Sequence, residues 1–102
     1  MRARPRLDAN HNEIVNALRK AGAHVQSLAS VGSGCPDVLV SFREKWYVLE
    51  VKDGSKPPSK QRLTDDERSW HNASHAPVHI VNSVEQALKI LASDQEIAQA
   101  SR

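Results

Sequence analysis

The sequence predicts an α/β fold in the order α-β-β-β-α-β-α, with a mixed four-stranded sheet flanked by helices. Three observations predict it. Apolar stripes with helical period stand near both ends of the chain, around Ile14 and around Leu88. Three apolar runs of strand length fall between residues 24 and 52 with only short turns between them, so the first three strands form an antiparallel meander. A capped helix then precedes one more short apolar run. A helix between two strands of one sheet makes a right-handed crossover, which sets the fourth strand parallel.

Each element has its own justification. Residues 10–22 predict a helix, with Asn10 as the cap, Glu13 three positions later and Gly22 at the end. Its expected buried stripe is Ile14, Ala17, Leu18 and Ala21. Residues 24–30 alternate as a first strand, and residues 31–34 turn the chain. Residues 37–42 and 45–52 are the second and third strands, joined at Arg43 and Glu44. Residues 53–62 form a polar loop with Gly54, Pro57 and Pro58. Thr64 and Glu67 have the spacing of a capping box, opening a helix to about His75. Residues 78–81 make the fourth strand. Ser83 caps a last helix carrying Val84, Ala87, Leu88 and Leu91. The expected domain is residues 10–93, between a basic flexible arm at 1–9 and a polar, frayed tail at 94–102.

With 102 residues the chain supports one domain and a modest core. No apolar run is long enough to span a bilayer, and the N-terminus lacks a signal peptide's apolar stretch. Cys35 is the lone cysteine, which excludes an internal disulfide and fits a reducing, cytoplasmic setting. It sits in a tight turn with no ordered base beside it, so a nucleophilic role is not expected. The net charge of +2 says little, but its distribution says more: residues 1–64 hold eleven Lys and Arg against six Asp and Glu, and residues 65–102 hold three against six. A basic first half suits a polyanionic partner.

The residues that carry chemistry are Asp37, Glu50 and Lys52. Alternation along a strand puts Glu50 and Lys52 on one face, with Trp46 and Val48. Asp37 lies thirteen residues before Glu50, a gap that fits a turn between adjacent antiparallel strands and brings the two carboxylates together. A carboxylate and an ammonium in an apolar strand cost several kcal/mol unless compensated. A structural ion pair is one compensation. A metal ion and a phosphate are another. His71 and His75 stand four apart on one helix, but no Cys or Glu cluster joins them, so zinc is not favoured and His71 is expected in packing or at a rim.

The ordered set Gly34-Cys35-Pro36-Asp37, Glu50-Val51-Lys52, a basic loop from Lys56 to Arg62, and Leu63-Thr64 at a helix start resembles the PD-(D/E)XK nuclease superfamily, most closely its VRR-NUC branch. The resemblance covers about residues 10 to 91. It departs in one place: the branch commonly has a Gln in the helix after Leu-Thr, where this chain has Glu67, and Gln61 lies earlier, in the loop.

The resemblance implies a restriction-endonuclease-like core and a Mg²⁺- or Mn²⁺-dependent site. Asp37 and Glu50 supply hard oxygen ligands, and the Val51 carbonyl completes the shell. Lys52 orients the attacking water or stabilises the phosphate. Glu13 is the helix glutamate the family directs at the site, although a capping role with Asn10 stands equally. Glu67 is either the capping partner of Thr64 or a substitute for the family's Gln. Lys56, Lys60, Gln61 and Arg62, together with Arg4 and Arg6 in the arm, are the expected nucleic-acid contacts.

A stand-alone chain of this kind resembles phage and prophage members, which implies a cytoplasmic location, the bacterial host cytoplasm if the protein is phage-encoded. The implied activity is a structure-selective endonuclease on branched DNA such as Holliday junctions, acting as a homodimer because paired cuts need paired sites. Three alternatives remain at this level: a nicking or repair nuclease on ordinary duplex, a catalytically silent DNA-binding module, and a plain α/β interaction domain whose charges are structural.

Overall fold

The computed structural model describes residues 9–100, with side chains through Ser93. The chain forms α1 (Ala9–Lys20), β1 (His24–Ser27), β2 (Val38–Phe42), β3 (Lys45–Val51), a 3-10 turn (Pro58–Lys60), α2 (Asp65–Ala73), β4 (His79–Val81) and α3 (Val84–Ala100). The sheet order is β1-β2-β3-β4, antiparallel for the first three strands and parallel between β3 and β4. This is the expected α/β architecture with its mixed four-stranded sheet. No helix among the described residues is long and apolar enough to cross a membrane.

The meander is set by its turns. Arg43 and Glu44 take φ of 49° and 69°, the backbone of a two-residue hairpin turn whose twist matches its strands. That turn pairs Phe42 with Lys45 and, four residues further along each strand, Val38 with Leu49. β1 is shorter than expected: the Leu28 amide donates to the Asp37 carbonyl, and the Val31 amide then folds back to Leu28. Gly22, at φ 104°, ends α1 as predicted. α3 continues to Ala100, through most of the stretch expected as a frayed tail.

The core lies on one face of the sheet. Val25, Val38, Val40, Tyr47, Leu49 and Val81 point into it, beneath Ile14, Val15 and Leu18 of α1 and Ala87 and Leu91 of α3. Each fully buried aliphatic side chain contributes about 1.5–3 kcal/mol of transfer free energy. The buried stripe of α1 is His11, Ile14, Val15 and Leu18, rotated from the expected one. Ala17 and Ala21 bring too little apolar area to hold the seam against Val15. Asn10 is not the cap either. The helix already includes Ala9, and the Asn10 amide donates to the Lys52 carbonyl (2.8 Å) and the Asn82 carbonyl (3.3 Å), fastening α1 to the ends of β3 and β4.

Candidate active site

The opposite face of β3 runs Trp46, Val48, Glu50. Trp46 is 69% exposed, whereas Glu50 is only 2% exposed because α2 crosses above it. Pairing of Val38 with Leu49 sets Asp37 beside Glu50, as the hairpin spacing required. Asp37 is held on three sides. Its amide donates to the Leu49 carbonyl, its carbonyl accepts from Leu28, and its Oδ2 accepts from the Val51 amide at 2.6 Å. Within a strand the N–H and C=O of one residue point the same way. The Val51 carbonyl is therefore on the Asp37 side.

Glu50 is held protonated. Burial, then the adjacent Asp37 charge and a hydrogen bond with Asp37, push its carboxyl up to about 9, while Lys52 pulls weakly the other way. Lys52 Nζ stands 3.8 Å from Glu50 Oε2 but 2.8 Å from Glu67 Oε1. The same Glu67 oxygen accepts from the Thr64 amide at 2.9 Å, and the Thr64 hydroxyl accepts from the Glu67 amide. Glu67 is thus both the capping partner and the anchor of Lys52. Burial would raise its carboxyl, but hydrogen bonds from Lys52 and Thr64 outweigh this and hold it below the ordinary range.

Gly34 explains how α2 comes so close. Its φ is 83°, and a Cβ there would collide with the Asp66 carbonyl and stand 2.8 Å from the Glu67 amide nitrogen. The first turn of α2 rests on bare backbone, which brings Glu67 and, one turn later, His71 over Glu50. His71 Nε2 lies 3.6 Å from Glu50 Oε1. Cys35, in the same turn, has its thiol pushed up by burial and then by the Glu50 and Asp37 charges, so it is a poor nucleophile.

A solved structure described as a VRR_NUC domain matches this chain at 26% identity, with a TM-score of 0.55, over 83% of this chain and 97% of that one. The chain has the VRR-NUC nuclease fold. No family model and no curated protein sequence matches it.

Against the VRR-NUC pattern, the structure gathers Asp37, Glu50 and Lys52 at one point, and adds Glu67 and His71 from α2. It does not bring Glu13 there. On the observed stripe Glu13 lies roughly 150° from the buried centre of α1. It is exposed beside Asn16, Arg19 and Val84. Gln61 is already engaged: its amide nitrogen donates to the Lys56 carbonyl in its own loop, and its amide oxygen accepts from Asn82 at the end of β4. Lys56, Lys60 and Arg62 are exposed on a loop ordered by Asp53–Ser55 hydrogen bonds and the 3-10 turn. Arg4 and Arg6 lie outside the described residues. His71 was missed as a site residue. The available signal was its position four residues after Glu67, on the same helical face.

The donor set fits a hard divalent cation. An acid pair in which the buried member, Glu50, keeps a proton beside Asp37 is a place where a cation relieves the repulsion. Among the described residues no three His, Cys, Asp or Glu side chains close into a cage. Two carboxylates and one carbonyl are the hard oxygen donors such a cation takes, with the remaining positions left to water.

Proposed function

We propose that the protein is a Mg²⁺- or Mn²⁺-dependent DNA endonuclease that hydrolyses phosphodiester bonds, preferring branched DNA such as Holliday junctions and acting as a homodimer. The observation that carries the reading is the Asp37–Glu50 pair, in which a buried Glu50, hydrogen-bonded to the half-buried Asp37, keeps its proton at neutral pH. Asp37, Glu50 and the Val51 carbonyl would hold the ion. Bound there, it would lower the pKa of a water and neutralise charge on the scissile phosphate.

The rest falls to the chain's own side chains. Lys52 stands between Glu50 and Glu67, where its ammonium can hold an attacking water or a non-bridging phosphate oxygen. Glu67 orients Lys52 and keeps it from collapsing onto Glu50. Cleavage of a phosphodiester needs positioning and charge stabilisation more than covalent help. The exposed Lys56, Lys60 and Arg62, on the loop that leaves β3, supply contacts to the DNA backbone.

For the dimer, Trp46 and Ile80 are better interface candidates than the last helix. Both are large, apolar and exposed, whereas Ala87 and Leu91 of α3 are already buried in the core. Cleavage of labelled duplex, flap, fork and four-way junction, with Mg²⁺, with Mn²⁺ and with chelator, tests the reading. Metal-dependent cutting of the junction above the others is expected. Equal cutting of linear duplex by a monomer would favour a simple nicking nuclease, and binding without cutting would leave a silent DNA-binding module.

A further inference from the structure

Glu50 Oε1 and His71 Nε2 are buried, face each other at 3.6 Å, and neither has a hydrogen-bond partner. An unpaired buried polar atom costs about 1–3 kcal/mol, and native structures hold few of them. Here two stand together, on the carboxylate that the proposed function makes a metal ligand. The separation is only about 0.4 Å beyond the upper end of the usual N–H···O range. The His71 side chain is 12% exposed, so the gap is not a solvent channel.

The other oxygen of Glu50 has its own neighbour. Lys52 Nζ approaches Oε2, and Lys52 is bound more closely to Glu67. His71 is therefore the donor placed for Oε1. Its backbone is fixed by a short helix whose first turn is capped at Thr64 and seated on Gly34. Packing alone does not account for the arrangement. An apolar side chain would fill the space without orphaning two polar atoms, and the one described ring near His71, Trp70, meets it edge-on at 6.5 Å.

We propose that His71 is a positioning residue for Glu50: its Nε2–H closes onto Oε1 when Glu50 ligates the cation, fixing the carboxylate so that the oxygen on the Lys52 side faces the ion. This rests on the metal-site reading above. Metal-ligating carboxylates are commonly oriented by such outer hydrogen bonds, and losing one typically costs 10- to 100-fold in metal affinity.

The test is calorimetric titration of the full chain with Mn²⁺, for wild type, His71→Gln, His71→Asn and His71→Leu, with thermal unfolding of each metal-free form. The Gln amide nitrogen reaches the place of Nε2, whereas the Asn amide falls short of it. Wild type and His71→Gln should bind within a few-fold of each other, and His71→Asn and His71→Leu about 10- to 100-fold more weakly at unchanged unfolding temperature. Should His71→Leu not fold, the two amide variants carry the comparison. As a second readout, the His71 Nε2–H resonance should move downfield on adding Mg²⁺. Equal affinity in all four proteins, or a resonance that Mg²⁺ leaves in place, overturns the proposal while leaving the metal site standing. A wild type that binds no Mn²⁺ removes the site reading and this inference with it.

Discussion

Leu49 and Glu50 are neighbours on β3 and equally hidden from solvent, yet they lie in opposite environments. Leu49 points under α1 and α3 into the hydrophobic core. Glu50 points under α2, against Asp37, Lys52, Glu67 and His71. One face gains free energy by burial. The other buries groups that water would solvate better, and keeps them in place because the first face holds the strands rigid. Conformational stability and chemistry are divided between the two sides of one sheet.

Substitution at these adjacent positions separates the faces most sharply. Asp37→Asn and Glu50→Gln should each lower cleavage by at least about a thousandfold, since each removes a charged ligand worth several kcal/mol in the transition state. Leu49→Ala should instead cost about 2–5 kcal/mol of stability through the cavity it leaves. Denaturant unfolding beside a cleavage assay reads both. Retained metal-dependent activity in either carboxylate variant breaks the division of labour.

Metal-free stability should also carry the signature of Glu50. Its carboxyl ionises near 4.5 when unfolded and near 9 when folded, so between these values the folded chain binds the extra proton. The contribution is complete below about pH 4.5 and is lost as pH rises toward 9, at up to about 1.4 kcal/mol per pH unit. Glu50→Gln should flatten that slope and be the more stable protein above neutral pH. A wild-type profile that rises through this window contradicts the assignment.

Lys52→Ala should retain Mn²⁺ binding and lose about a hundredfold in rate, because the ammonium serves water and phosphate and not the ion. Failure of this variant to bind Mn²⁺ would make Lys52 a structural residue.

The smallest effect is expected furthest from the acid pair. Replacing Lys56, Lys60 and Arg62 together by Ala should weaken DNA binding and lower the slope of log K against log salt by up to about three units, near 0.9 for each phosphate contact. An unchanged slope places the loop off the DNA.

The pairing of Asp37 with Glu50 was legible in the sequence because it depends on local rules: a two-residue turn at Arg43–Glu44 and strict alternation along each strand. The capping box was legible for the same reason. The rotation of α1 was not. Choosing Val15 over Ala17 for the seam depends on what the sheet offers, and that choice moved Glu13 out to solvent. His71 was hidden by a nonlocal cause as well. Only the seating of α2 on the backbone at Gly34 turns its face toward Glu50. The double use of Glu67, as cap and as lysine anchor, needed that contact too.

The Asp37–Glu50 pair should exchange its proton for a divalent cation, and Mn²⁺ titration at pH 7 in two buffers of different ionisation enthalpy reads that exchange. Wild type should bind Mn²⁺ with release of about one proton per ion, seen as a difference in apparent enthalpy between the buffers, and Glu50→Gln should lose both the binding and the release. Binding with the same apparent enthalpy in both buffers, or binding undiminished in Glu50→Gln, would mean that the ion does not displace a proton from Glu50.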